Sequence, residues 1–309
     1  MKKRGFGIAF DVDGVLLRGS RVLSGAVEAL QTVQQREIPH LVVTNGGGDT
    51  EADFADRLHQ LGLPRVAPEQ VVLAHTPVKR LTELRDELVV VFGRKQPVRA
   101  AQAYGFRLAV TPEQYCTVHN LFPFESYTEP LSEELRKAIA TRPAAAALVF
   151  TDPIVWGRDI QLIVDLAAPE MPVGGLPKRT APLRVVFAQN DFLWSHSFPH
   201  PRFGQGAFNL AASVLFNRLY GRELDAEVLG KPTATTMSYC RQELGEPRTA
   251  YMVGDNQHSD ILGGRQPGWK SILVQSGLYK RGDPFDVQPD YCVAGVEEAV
   301  QLIRELEKD

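Results

Sequence analysis

The segment Gly7-Ile8-Ala9-Phe10-Asp11-Val12-Asp13-Gly14-Val15 runs from a short apolar stretch straight into two carboxylates and a glycine. An unbroken apolar run of that length predicts a buried strand, and open parallel sheets bind their ligands at the edge where such strands end. Strand alternation sets Asp11 and Asp13 on the same side. Two anions so close repel each other and need a proton or a cation between them. A surface turn is the competing reading, because Asp and Gly are ordinary turn formers.

Working outward, further apolar runs at 41–44, 87–92, 147–150, 183–187, 249–253 and 271–274 alternate with helix-like stretches, the pattern of an α/β protein. Helices are predicted where caps and periodicity agree. Thr50-Glu51-Ala52-Asp53 leads into Phe54, Leu58 and Leu61 and stops at Gly62, and 132–140, 206–220 and 296–307 read alike. Pro and Gly gather at 169–182 and 199–206, which predicts a linker or a domain junction.

Composition narrows the function classes. The 309 residues are 44% hydrophobic and 23% charged, which excludes wholesale disorder and allows about two domains. A net charge of −3 supplies no basic field for a phosphate backbone, so nucleic acid is not the expected partner. Cys116, Cys240 and Cys292 are far apart, odd in number and without a C-x-x-C pair, which argues against a disulfide framework or zinc knuckle and for a reducing compartment. No apolar run reaches the ~18 residues of a membrane span, so no membrane insertion is expected. The opening Met1-Lys2-Lys3-Arg4 leads directly into the first strand, so the expected location is the cytoplasm, or the mitochondrial matrix if a leader has been removed.

Three more polar groups sit at strand ends. Thr44-Asn45-Gly46 offers a hydroxyl and flexible backbone N–H groups of the kind that cradle phosphate oxygens. Gly230-Lys231-Pro232 carries proline near a predicted helix start, which sets Lys231 at a helix N-terminus. Gly254-Asp255 closes another strand, and Asp260 follows.

These motifs, Asp11-Val12-Asp13-Gly14, Thr44-Asn45, Lys231 and Gly254-Asp255 with Asp260, resemble in order those of the haloacid dehalogenase-like (HAD) hydrolase superfamily. The resemblance implies Asp11 as nucleophile and Asp13 as general acid and base. It implies Lys231 as the cation neutralising Asp11 and the phosphoryl oxygens, and phosphate binding by Thr44, Asn45, Gly46 and Lys231. It further implies Mg2+ as cofactor, held by Asp11, by the backbone carbonyl of Asp13 and by Asp255, with Asp260 as a ligand or beside one. Phosphoryl transfer suits this cast, because charge spread over equatorial oxygens has to be offset before a carboxylate can approach. The implied activity is a small-molecule phosphomonoester phosphatase with an aspartyl-phosphate intermediate. A catalytically weak metal-binding scaffold of the same fold and a phosphotransferase are the alternatives.

The stretch from Asp11 to Thr44 is too short for an inserted cap, whereas that from Thr44 to Lys231 far exceeds one strand and one crossover helix. An inserted domain there resembles the class II capped members. Asn190-Asp191, Gly204-Gln205-Gly206 and Gly230-Lys231-Pro232 look like the NagD-like class IIA branch, with the usual Asn-Pro-Asp shortened to Asn190-Asp191. Asp152-Pro153, Trp156-Gly157, Asp159-Ile160-Gln161, the stretch 191–194 and the stretch 201–206 are similar to the cat-eye-syndrome-critical-region-type hydrolases. The expected fold is therefore α/β, a doubly wound parallel-sheet, Rossmann-like core over 1–94 and 204–309 with an α/β class II cap over 95–203. The expected partner is a small phosphorylated metabolite, and a homo-oligomer formed through the cap stays open.

Trp156, Asn190, Asp191 and His258 are candidate substrate contacts, and Arg158, Trp194 and Arg202 suit a pocket for a phosphate ester; packing is the competing role for the tryptophans and an exposed loop for His258. His196 and His200 have a zinc-like spacing, but Pro199 interrupts any helix and no paired cysteines accompany them. Gly5-Phe6-Gly7 precedes its strand, whereas a dinucleotide fingerprint follows one.

Overall fold

The structure, a computed structural model, describes residues 5–122, 130–168, 176–179, 181–194, 200 and 202–309. His196, and with it the His196/His200 spacing, lies outside the described residues, as do 169–175 and 180 of the Pro/Gly-rich stretch. The chain forms two α/β units. The first takes the described residues up to Asn45, Glu51–Pro77 and Gly230–Asp309; the second takes Gly46–Thr50 and Val78–Leu229.

In chain order the first unit contributes β1 (Phe6–Phe10), β2 (His40–Val43) and β3 (Val71–Val72). The second contributes β4 (Leu88–Phe92), β5 (Leu108–Val110), β6 (Ala146–Val149), β7 (Arg184–Phe187) and β8 (Ala226–Val228). The chain then returns to the first unit for β9 (Thr249–Gly254), β10 (Trp269–Val274) and β11 (Tyr291–Val293).

The first sheet has the order β11-β10-β9-β1-β2-β3, parallel throughout. Both faces are covered, which is why its central strands read as continuous apolar runs. Ile8, Phe10, Val42, Tyr251 and Val253 face one layer with residues of helices Ala26–Gln35 and Val296–Glu307. Ala9, Leu41, Val43, Ala250 and Met252 face the other, with Met237, Tyr239 and Cys240 of helix Ala234–Glu243. From β1 the chain builds outward through β2 and β3, and later to the other side through β9, β10 and β11. The order reverses between β1 and β9, and crevices at such switch points are where open α/β sheets take ligands. Register pairs Phe10 with Val253 and with Val42, so Asp11, Thr44 and Asp255 all leave the same edge.

The second unit has its own parallel sheet, order β8-β7-β6-β4-β5. Val90, Phe92, Ala147, Val149, Val185 and Phe187 form one core. Val89, Val91, Ala146, Leu148 and Val186 form the other.

The division differs from the boundaries expected at 94/95 and 203/204. β4 pairs with β5 and β6 in the second sheet, and β8 pairs with β7 there. Helix Gln205–Tyr220 buries Phe208, Ala212 and Phe216 in a second-unit core. The predicted helix signals held locally. Ser132 caps Glu133–Thr141 by accepting the Leu135 N–H at 3.2 Å. Helix Glu51–Gln60 gives way to Gly62, whose φ of +107° is the left-handed conformation that favours glycine. No helix among the described residues is long and apolar enough to cross a membrane.

Candidate active site

The edge of the first sheet carries the site. The Asp11 N–H continues the β1/β9 ladder by donating to the Val253 carbonyl at 2.9 Å, so its side chain emerges where the ladder ends. The chain then turns at Gly14, with φ +83° and its N–H donating to the Leu17 carbonyl at 2.7 Å. A Cβ there would collide with the Asp255 carboxylate, so only glycine brings the turn this close.

Lys231 reaches into the crevice with its side chain 2% exposed. Its Nζ is hydrogen-bonded and ion-paired to Asp11, lies 2.7 Å from Asp260 Oδ1 and donates to the Val43 carbonyl at 3.2 Å. Lys231 is not at a helix N-terminus. The helix starts at Ala234 behind its cap Thr233, and Lys231 occupies the preceding turn, followed by a cis peptide to Pro232. The proline signal therefore marked a turn and not the first helical residue. Two contacts fix that turn. Thr236 Oγ1 accepts the Gly230 N–H at 2.9 Å, and the Asn45 amide clamps Lys231, accepting its N–H at 2.8 Å and donating to its carbonyl at 2.9 Å.

Asp255 closes β9, and its Oδ2 accepts the Leu278 N–H at 2.6 Å. Asp260 sits in the π-helical turn Gln257–Ile261, fully buried, with Oδ2 accepting the Asn256 N–H at 3.1 Å. Gly254 admits it, since a Cβ there would collide with the Asp260 side chain. The carboxylates of Asp11, Asp255 and Asp260 each bring an oxygen within 4.8 Å of the others.

Electrostatics follow from this crowding. Burial holds the Asp11 carboxyl well above its usual range; Lys231 opposes the shift, and Asp260 and Asp255 add to it. Burial, then repulsion from Asp260, pushes Asp255 up to about 7. Burial alone would make Lys231 easier to deprotonate, but Asp11 and Asp260 outweigh it and raise its pKa, so the ammonium stays charged. Asp13 is open to solvent at the rim. Enough protein surrounds it to raise its carboxyl, with Lys231 and Arg57 pulling the other way.

One ammonium faces three buried carboxylates, so full ionisation of the acids would leave surplus negative charge, which the upward shifts at Asp11 and Asp255 oppose. Asp260 Oδ1 meets the Lys231 ammonium at 2.7 Å, the same group that pairs with Asp11, so two acids share one cation. An all-oxygen donor set with that surplus fits a hard divalent cation such as Mg2+.

Of the other sequence candidates, Thr44 is buried at the end of β2 and Gly46 is exposed within the stretch that groups with the second unit. His258 is exposed, its Nε2 3.4 Å from Asp286. Trp156, Asn190 and Asp191 belong to the second unit, whereas Asp11, Lys231, Asp255 and Asp260 belong to the first. The Trp156 indole donates to the Pro153 carbonyl at 3.0 Å and packs on Phe203 and Phe208. Asn190 Oδ1 accepts from Asn209 at 3.1 Å, and the Asp191 carbonyl accepts the Gly206 N–H at 3.0 Å. Arg158 is buried and ion-paired to Asp159 and Glu113. Arg202 is exposed, and Trp194 lies in the short strand Leu193–Trp194 that pairs with Arg202–Phe203.

The clamping role of Asn45 had no sequence signal beyond its place after a strand. Asn45→Ala is expected to lower kcat on a phosphomonoester by about 10- to 100-fold, because a misplaced Lys231 loses alignment more than affinity. Steady-state kinetics check it, and an unchanged kcat would show that the clamp is dispensable.

Two family models match the chain. One described as haloacid dehalogenase-like hydrolase covers residues 8–107, and one described as HAD-hydrolase-like covers 228–299. The chain is 32% identical over 308 residues to a cardiolipin synthase (CMP-forming)/mitochondrial hydrolase fusion protein of Schizosaccharomyces pombe, spanning 94% of this chain and about half, 51%, of that protein. It is 31% identical to a mitochondrial hydrolase of Saccharomyces cerevisiae, across 94% of this chain and 93% of that one. It is 26% identical to human glycerol-3-phosphate phosphatase, across 93% and 84% respectively. A hypothetical protein of Pyrococcus horikoshii OT3 shares the fold with a TM-score of 0.72 at 20% identity, covering 96% of this chain and 99% of that one. The matched segments carry every member of the acid–lysine cluster, and with the relatives along nearly the whole length they establish that the chain belongs to the haloacid dehalogenase-like hydrolases.

Proposed function

We propose that this hydrolase is a magnesium-dependent phosphatase of small phosphomonoesters that works through a phosphorylated Asp11. The observation that carries the reading is the buried Asp11 carboxylate, ion-paired to Lys231 inside a three-acid cluster at the switch point of the sheet. The phosphatase among its relatives supports the same reaction class.

Asp11 and Asp255 would hold Mg2+ with the backbone carbonyl of Asp13, and Asp260 would lie beside them. When bound, the ion supplies positive charge that lets an anionic nucleophile meet an anionic ester. The chain's own groups do the rest. An Asp11 oxygen attacks phosphorus as the bond to the leaving oxygen breaks, and Lys231 offsets charge on both partners. Asp13, whose raised pKa suits a proton carrier, delivers its proton to the leaving alcohol. It then takes a proton from the water that attacks the phosphorylated Asp11, releasing phosphate and restoring both carboxyls. Dividing hydrolysis this way replaces one difficult step with two easier ones.

Removing magnesium with a chelator is expected to abolish p-nitrophenyl phosphate hydrolysis, and adding it back to restore it. Because Asp11 and Asp255 both have to shed protons, magnesium affinity by calorimetry is expected to rise by at least about tenfold per pH unit up to about pH 7. A flat profile from pH 5.5 to 7 would remove Asp255 from the metal site. In the metal-free protein the folded state holds protons on Asp11 and Asp255 that the unfolded chain releases. Stability therefore falls as pH rises from the ordinary carboxylate range towards about 7, and magnesium flattens that slope. The names of the fungal relatives favour a mitochondrial location, which cell fractionation tests.

A further inference from the structure

After β10 ends at Val274, the chain passes through Gln275-Ser276-Gly277-Leu278 directly beneath the acid cluster. Ser276 Oγ donates to the Gly14 carbonyl at 2.6 Å, tying this segment to the turn that follows Asp11 and Asp13. The Leu278 N–H donates to Asp255 Oδ2 at 2.6 Å, and the Tyr279 N–H to the Asp255 carbonyl at 3.3 Å. Arg18, from the hairpin after that turn, donates to the Ser276 carbonyl at 2.5 Å. The segment thus bridges the two loops that carry Asp11 and Asp255.

Gly277 makes that bridge possible. A Cβ built on it would collide with the Asp255 carboxylate, much as one on Gly14 would, so the two glycines flank a single side chain. The requirement differs at the two positions. Gly14 has φ +83°, so a side chain there is strained whatever the space, whereas Gly277 is absent from the left-handed region. At Gly277 the backbone tolerates alanine and only the contact forbids it. Both glycines crowd the same Asp255 oxygen, Oδ2, that accepts the Leu278 N–H, so the three together restrict where that carboxylate can sit.

Resting on the magnesium-phosphatase reading, we propose that Ser276-Gly277-Leu278 is a positioning strap for the metal site: Gly277 leaves room for the Asp255 carboxylate, Leu278 orients it, and Ser276 sets its distance from the Asp11–Asp13 turn. None of the three is a catalytic residue. Groups that orient a metal ligand typically change metal affinity by 10- to 100-fold when lost.

The experiment is magnesium titration by calorimetry on Gly277→Ala, Ser276→Ala and Ser276→Thr, with p-nitrophenyl phosphate kinetics across magnesium concentrations and thermal melting without metal. For Gly277→Ala, the affinity is expected to weaken about tenfold or more, and the half-saturating magnesium for turnover to rise equally. The KM for ester at saturating magnesium should stay within about twofold, because substrate contacts are untouched. Ser276→Ala should show a smaller shift of the same kind, and Ser276→Thr, which keeps the hydroxyl, should restore wild-type affinity. A merely structural role would lower the melting point and the active fraction without moving the magnesium midpoint, and that result would overturn the proposal. If Gly277→Ala does not fold, the Ser276 pair decides: equal magnesium affinity in Ser276→Ala and wild type would overturn the strap. Absence of magnesium binding by the wild type itself would instead sink the metal-dependent reading on which the strap rests.

Discussion

Asp11→Asn is expected to lose p-nitrophenyl phosphate hydrolysis by about 10⁴-fold or more while keeping its fold. The substitution keeps the shape of the side chain and removes its charge, and a neutral amide is too weak a nucleophile to displace an alkoxide from phosphorus. Its structural cost is small for a reason visible in the cluster. Asp11 is one of three carboxylates within 4.8 Å, Asp260 and Asp255 oppose its ionisation, and Lys231 keeps Asp260 at 2.7 Å when Asp11 is neutral. Metal-free stability at pH 8 should therefore equal or exceed that of the wild type, because a repulsive buried anion has gone. Chelator-treated samples compared by urea denaturation, and kcat measured at saturating magnesium, check both halves. Activity within tenfold of wild type would remove Asp11 as nucleophile. A large loss of stability with the activity would instead give its pairing with Lys231 a structural role.

Much of this site was legible because its members follow the strongest signals a sequence carries. Asp11, Thr44 and Asp255 each terminate an apolar run, and a buried parallel strand can only deliver its next polar residue to the sheet edge. What failed to read was non-local. The run at 88–92 is apolar and buried like the strands at 6–10 and 249–254, and its pairing with Ala146–Val149 assigns it to the second sheet. Ala226–Val228 is a half-buried edge strand whose membership depends on a partner some forty residues earlier, at Val185–Phe187. Helix Gln205–Tyr220 was visible as a helix but not as a second-unit helix, since its apolar face states that it is buried and not against what.

Side-chain partners are non-local in the same manner. Arg158 sits among residues that suggest a pocket, yet its buried pairing with Asp159 and with Glu113 on helix Pro112–His119 turns it into a packing element. The strand-end position of Asn45 suggests phosphate binding but gives no sign that its amide also grips the Lys231 backbone, far along the chain. Gly277 carried no motif at all. Its importance arises from the approach of Asp255, which no local pattern announces.

Lys231→Met should have the second large effect, and pH separates its causes. Methionine fills most of the volume of the lysine stem, so the change is chiefly the loss of one buried positive charge. Turnover at saturating magnesium should fall about 10²- to 10³-fold, the usual loss when a group stabilising transition-state charge is removed. Stability should suffer as well, because Asp11 and Asp260 are left without the ammonium that Lys231 supplied. Breaking a buried pair from one side costs about 3–5 kcal/mol when the orphaned charge stays ionised. Asp11 can escape that cost by taking up a proton, since burial already raises it and the loss of Lys231 removes the main force holding it down. The destabilisation is therefore expected to be small near pH 5 and to grow as pH rises towards 8, where protonation no longer relieves the repulsion. Magnesium should recover part of it, because a cation bound only by the folded state substitutes for the missing charge. Urea denaturation at pH 5.5 and pH 8, with and without magnesium, reads all of this. A loss of equal size at both pH values, unmoved by the ion, would mean that Lys231 holds the crevice together by its packed stem and its bond to the Val43 carbonyl, and that neutralising the acids is not its task.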